Sequence, residues 1–329
     1  MSKPILSHTD CLAGILNHDI SFLSKAITLV ESSLHQDNLL AAQLLDVCLP
    51  YSGKSFRIGI TGTPGVGKST FIDGFGMYLI EQGLNVAVLA IDPSSSRSGG
   101  SILGDKTRME GLSANPNAYI RPSPTKNTLG GVAKSTRESI ILCETAGYQV
   151  IIVETVGVGQ SETTVREMVD FFLLLLQPGA GDDLQGIKRG IVEMVDGIAI
   201  NKADGNSLPY ARKTQSDYQH SLQLFPNTPS HWKPQVYLCS ALENKGFDAI
   251  WDTLNAYQLL TQQNNYWEIN RQQQQLAWFH NALNEKLLTQ FYQNPRFIER
   301  LKSIETDILS QKISPSTAIL NTVSELFSP

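Results

Sequence analysis

The stretch "GITGTPGVGKST", residues 59–70, closes a run of apolar residues and places four glycines ahead of a Lys-Ser pair. Gly62, Gly67, Lys68 and Ser69 satisfy G-x-x-x-x-G-K-[ST] between the strand-like "FRIGIT" and the helix-like "STFIDGFGMYLIEQGL". In that context backbone N–H groups turn inward around a phosphate, and the following helix adds its partial positive charge. Gly62, Gly65, Val66, Gly67, Lys68, Ser69 and Thr70 form the expected phosphate-binding set. Lys68 is expected to reach the terminal phosphates, and Ser69 to offer its hydroxyl to Mg²⁺.

Outward from this turn, the chain alternates short apolar runs with helical stretches from Phe56 onward. The runs are "FRIGITG", "NVAVLAID", "AYIRP", "QVIIVET", "DFFLLLL", "DGIAINK" and "VYLCSAL". Strands this apolar are covered on both faces, which predicts an α/β domain with a doubly wound, mostly parallel sheet. Residues 9–50 instead carry apolar residues at helical spacing (Leu23, Ala26, Ile27, Val30, Leu40, Leu44, Val47) and end at Pro50. Beyond about residue 245 strand patterns cease, and Leu276, Phe279, Leu283 and Leu287 recur three and four apart in a Gln-rich segment. That stripe suits packing on its own domain or an oligomer interface equally well. The expected organisation is an N-terminal helical segment (1–52), a nucleotide domain (53–260) and a C-terminal helical arm (261–329).

Composition removes several classes of function. The 329 residues carry a formal charge of −5 with no basic stripe, which speaks against nucleic acid as a partner. The four cysteines, Cys11, Cys48, Cys143 and Cys239, are far apart and lack metal-ligand spacing, so reduced, partly buried thiols are expected. The N-terminus has no long apolar core, and "FFLLLL" at 171–176 is too short to span a bilayer. No membrane association and a cytoplasmic location follow as expectations.

The base is chosen by "NKAD", residues 201–204, which follows the buried run "DGIAI" and so sits on the same sheet rim as the phosphate turn. The carboxylate of Asp204 can accept from guanine N1–H and its amino group together, a donor pair that adenine lacks. Asn201 can bond near O6 and N7, and the stem of Lys202 can lie over the ring. Ser240, Ala241 and Leu242, after the last strand, stand where backbone amides could meet the guanine oxygen. For the metal, Glu154 ends the strand "VIIVET", and Gly157 follows where its N–H could touch the γ-phosphate. Asp92 ends another strand, and Asp105 lies in a Gly/Ser-rich loop that a metal and a γ-phosphate could order. No Gln follows Gly157 directly, which leaves Gln160 as the candidate for orienting water.

Taken in order and spacing, "GTPGVGKST", "AIDPSSSRSGGSILGDKTRM", "IIVETVGVGQSE", "PGAGDDLQGIKRG" and "NKAD" resemble the MeaB/ArgK family of P-loop GTPases over nearly the whole chain. The Glu of "ETVG" and the "GAGDDLQGIKRG" loop are the most specific of these motifs. The resemblance implies a fold like that of signal-recognition and nickel-insertion GTPases, and a homodimer held by C-terminal helices. It further implies a chaperone of adenosylcobalamin-dependent acyl-CoA mutases, chiefly methylmalonyl-CoA mutase, that gates cofactor loading and protects the mutase. By the same likeness, Lys68 and Ser69 with Asp92, Asp105 and Glu154 would bind phosphate and Mg²⁺, and Asn201 and Asp204 would bind guanine. The loop 177–190, with Asp182, Asp183 and Lys188, would report the nucleotide state, GTP or GDP, to the mutase. Two rival readings are a metallochaperone GTPase, which would normally show a His-rich tract or Cys/His pair, and an amino-acid-transport kinase or ATPase, which NKAD opposes. A nucleotide-binding dimer that only scaffolds is a third.

Overall fold

Seven strands form where the seven apolar runs predict them: β1 Phe56–Gly62, β2 Val86–Ile91, β3 Ala118–Ser123, β4 Val150–Thr155, β5 Phe171–Leu176, β6 Gly197–Ile200 and β7 Gln235–Leu238. They make one parallel sheet in the order β3-β2-β4-β1-β5-β6-β7. The computed structural model describes residues 7–91, 109–123, 129–155, 161–179, 189–226 and 228–327. The helices are α1 His8–Leu16, α2 Ile20–Val30, α3 His35–Cys48, α4 Lys68–Glu81, α5 Glu110–Ala114, α6 Leu129–Thr145 and α7 Ser161–Arg166. There follow α8 Arg189–Val192, α9 Leu208–Leu222, α10 Phe247–Gln263, α11 Tyr266–Gln293, α12 Pro295–Leu309 and α13 Pro315–Phe327.

The period of two along each strand divides the core. Ile58, Ile60, Val86, Val88, Val150, Ile152, Phe171 and Leu173 pack with Phe71, Ile72 and Phe75 of α4 and with Ile250 and Leu254 of α10. Their alternate neighbours Ala87, Leu89, Ile151, Val153, Phe172 and Leu174 pack on the other face with Leu23, Ile27, Leu44, Ile140 and Cys143. The helical segment read from residues 9–50 thus covers one side of the sheet together with α6. Its first two helices start on local caps: the Ser7 side chain accepts from Asp10 N–H, and the Asp19 side chain from Ser21 N–H. All four cysteines are buried free thiols, as their spacing suggested.

At the amino ends of β1 and β5 the core gives way to buried charge. Arg271 of α11 donates to both oxygens of Asp170, at 2.7 and 2.6 Å, and to the carbonyls of Gly53 and Ser55, each at 2.6 Å. Its guanidinium also lies 4.5 Å from the Trp267 ring centre, and Trp267 meets Phe56 edge-on at 5.3 Å. Beside it Glu144 accepts from Arg57 Nε at 2.9 Å, from Ser55 Oγ at 2.6 Å and from Gly53 N–H at 2.7 Å. Burial alone would raise the Glu144 carboxyl, but Arg57 and these donors hold it below the usual carboxylate range.

The chain divides into two compact units, Met1–Gln274 and Gln275–Pro329. The first contains the sheet and the root of α11; the second contains the rest of α11 with α12 and α13. Within the second unit α12 starts at Asn294, whose side chain accepts from Arg296 N–H. Among the described residues no helix is long and apolar enough to cross a membrane.

Candidate functional site

Because every strand is parallel, the carboxyl ends of β1, β4, β5, β6 and β7 share one rim, and the order reverses on either side of β1. Ligands of open α/β sheets bind at that position. The loop leaving β1 enters α4 through Gly67, at φ 95°, which caps the helix without a side chain. The first helical bond there is Phe71 N–H to Gly67 C=O, 2.9 Å, so the amides of Lys68, Ser69 and Thr70 have no acceptor inside the helix. They form the anion-binding end of a 14-residue helix. Lys68 is buried, and its ammonium donates to Gly62 C=O at 2.7 Å and Thr63 C=O at 3.4 Å, at the mouth of the loop. Burial lowers its pKa, and the charges of Glu154 and Glu162 work in the opposite direction.

The phosphate loop and the NKAD turn are built against each other. The Asn201 side-chain amide donates to Val66 C=O at 3.0 Å, and its Oδ1 accepts from Ala241 N–H at 3.0 Å. Lys202, itself at φ 58°, donates from Nζ to Gly65 C=O at 2.7 Å. A β-carbon on Gly67 would lie 2.8 Å from the Asn201 amide nitrogen, so glycine is required there by contact as well as by conformation. Both ends of Asn201 are therefore engaged with protein, which makes it a brace between three loops. Asp204 stays half-buried, and Ser240 Oγ donates to one of its carboxylate oxygens at 2.5 Å, which fixes the orientation of that carboxylate. Ser240 N–H is bonded to Lys245 C=O at 3.0 Å, while the Leu242 side chain is exposed.

For a divalent cation, the Ser69 hydroxyl donates to Glu154 Oε1 at 3.5 Å, bringing two hard oxygens together beside the phosphate loop. Two such oxygens fit Mg²⁺, which takes its remaining ligands from water and phosphate, better than a metal that needs a full protein cage. Among the described residues no group of three or more His, Cys, Asp or Glu could hold a metal by itself. Asp92, Asp105, Gly157, Gln160, Asp182, Asp183 and Lys188 lie outside the described residues.

One acid at the rim escaped the motif reading. Glu162, in the first turn of α7, is 3% exposed, and its Oε2 has no hydrogen-bond partner among the described residues. In sequence it is one more Glu after a Gly-rich loop. The apolar positions Val165 and Val169 that follow it were the signal that α7 packs inward.

The description "Methylmalonyl Co-A mutase-associated GTPase MeaB" matches residues 23–296 of the chain. Among curated proteins, a mouse relative named methylmalonic aciduria type A homolog, mitochondrial, is 46% identical over 315 residues, covering 93% of this chain and 76% of its own length. GTPase ArgK of Escherichia coli is 45% identical over 297 residues, 90% of each chain. The crystal structure of an LAO/AO transport system kinase superposes over all of both chains, with a TM-score of 0.79 and 35% identity.

Proposed function

The chain belongs to the MeaB family of GTPases, and on that premise we propose that it serves as the GTP-hydrolysing chaperone of an adenosylcobalamin-dependent acyl-CoA mutase. The client is methylmalonyl-CoA mutase, whose cofactor loading the GTPase gates and whose inactivation it prevents. The observation that carries this reading is the family match, which spans the nucleotide domain and the root of the arm. The name of the mouse relative, methylmalonic aciduria type A homolog, points the same way.

The nucleotide site supplies the physical means. Asn201 and Lys202 tie the base-reading turn to the phosphate loop, so a change at the phosphates has a direct route to the rest of the rim. Mg²⁺ would be held by Ser69 and Glu154 with Asp92 and Asp105, and would neutralise charge on the phosphate oxygens. The loop 177–190, through Lys188 and Asp182, would carry the nucleotide state to the mutase. In this reading residues 1–52, 53–260 and 261–329 act as cover, engine and dimerisation arm, and the protein works in the cytoplasm. A metallochaperone role finds no support among the described residues, where no His/Cys/Asp/Glu cluster for a metal exists. The transport-kinase name of the solved relative suggests a second reading, but Asp204 and its Ser240 support favour guanine over adenine.

The test is GTP turnover with and without purified methylmalonyl-CoA mutase. We expect the mutase to accelerate hydrolysis, and Lys188→Ala to remove most of that acceleration while leaving GDP affinity nearly intact. A mutase that neither binds the chain nor alters its turnover overturns the proposal.

A further inference from the structure

Glu162 occupies a position that its packing fixes well. α7 returns from the nucleotide rim toward the amino ends of the strands: Val165 packs against Gly59 of β1, where a β-carbon would lie 3.0 Å from its Cγ1. One residue later Arg166 pairs with Asp196 at 3.0 Å, at the foot of β6. Glu162 lies one turn earlier, about 5 Å nearer the rim at the helical rise. Two residues along β1 from Gly59 covers a similar distance and arrives at Thr61. Thr61 and Thr155 are both buried, and the Thr155 hydroxyl donates to Thr61 Oγ1 at 2.9 Å. By these rises Glu162, like the buried Thr61 and Thr155, stands toward the carboxyl ends of the strands, where the phosphate loop begins.

A carboxylate oxygen that is buried without a donor is unfavourable and calls for one. Lys68 is near enough to feel the charge of Glu162, but its ammonium is committed to the carbonyls of Gly62 and Thr63. Glu154 is committed to the Ser69 hydroxyl. A buried acceptor without a protein donor suits a water molecule.

We infer that Glu162 orients the water that attacks GTP, by accepting a hydrogen bond from it through the buried Oε2. The water oxygen bonds to the γ-phosphorus as the bond from phosphorus to the β,γ-bridging oxygen breaks. GDP leaves with that electron pair, and the water's proton passes to the phosphate product. Glu162 only orients the water and is unchanged at the end of the cycle. The assignment concerns the chain's own hydrolysis and does not depend on any mutase.

The test uses the full chain alone with Mg·GTP, comparing it with Glu162→Gln. The amide keeps the shape but replaces one acceptor oxygen by a donor. Single-turnover hydrolysis should slow by about ten- to a hundred-fold. Calorimetric GDP affinity and the KM for GTP should stay within about two-fold, because no binding contact is removed. Thermal stability should be unchanged or raised, since a buried acceptor oxygen without a donor is gone. Hydrolysis within about two-fold of the original overturns the assignment. So does a loss of GDP affinity together with rate, which would make Glu162 a support for Lys68. A fall in melting temperature with proportionate loss of all activity would make it a structural residue and also overturns it.

Discussion

At Gly67 two requirements meet in one residue, and each can be broken. Its φ of 95° is in the region that a β-carbon makes costly, and that carbon would also stand 2.8 Å from the Asn201 amide. Gly67→Ala is expected to cost about 1–2 kcal/mol in conformation alone. It should also push the brace away from Val66, so phosphate and base recognition fail together. Calorimetry with GDP and with free guanosine separates the two losses: weakening of the phosphate half alone would show that the brace does not couple them. Asp204 carries the choice of base. Asp204→Asn should lower GDP affinity by at least about a hundred-fold and raise affinity for xanthosine diphosphate, because the amide mismatches the guanine donors. Equal weakening for both nucleotides would remove Asp204 from the base site.

At the scale of elements, the apolar runs gave away all seven strands, because burial of the central strands on both faces leaves little choice of residue there. The phosphate loop and NKAD were legible because their chemistry is local in sequence. What stayed hidden was pairing across long separations. Asp170 and Arg271 are 101 residues apart, and nothing near either announces the other. Asn201 illustrates the same limit: its type suggested a base reader, and nothing near it in sequence announced that Val66 and Ala241, on other loops, would also make it a brace. The hidden pair yields a prediction. Arg271→Ala should leave the Asp170 carboxylate buried and uncompensated and cost about 3–5 kcal/mol in urea unfolding. A loss below about 1 kcal/mol would mean that water replaces the guanidinium.

The helix α6 adds a pH dependence of known sign. Burial pushes the Glu138 carboxyl up to about 7, only partly opposed by Lys134, and Oε2 has no partner among the described residues. Because the folded value lies above the ordinary one, this group contributes most below the ordinary value, and the contribution is lost as pH rises through about 7. Glu138→Gln should therefore gain about 1–3 kcal/mol relative to the parent at pH 8 and little at pH 5. Denaturation curves at the two pH values decide it. A gain independent of pH would assign the effect to packing.

At the scale of the whole molecule, the stripe on α11 decides how many chains act together. Leu276, Phe279 and Leu283 are 61%, 57% and 42% exposed, so the chain by itself leaves these side chains substantially in water. Large apolar side chains recurring on one helix face mark a surface made for a partner more often than a tolerated accident. A second copy of the same helix would cover them symmetrically, as the homodimer proposal requires. Fully burying each such side chain is worth about 1.5–3 kcal/mol, and a two-fold interface counts every residue twice. Replacing all three by Ser should therefore remove well over about 4 kcal/mol, which raises a dimer dissociation constant at least about a thousand-fold. At micromolar concentration, light scattering should report a dimer for the original chain and a monomer for the triple variant. The variant should still bind GDP with its original affinity, because Lys68, Asn201 and Asp204 all belong to the compact unit that ends at Gln274. A parent chain that is monomeric at that concentration would end the dimer proposal and leave the stripe to the mutase.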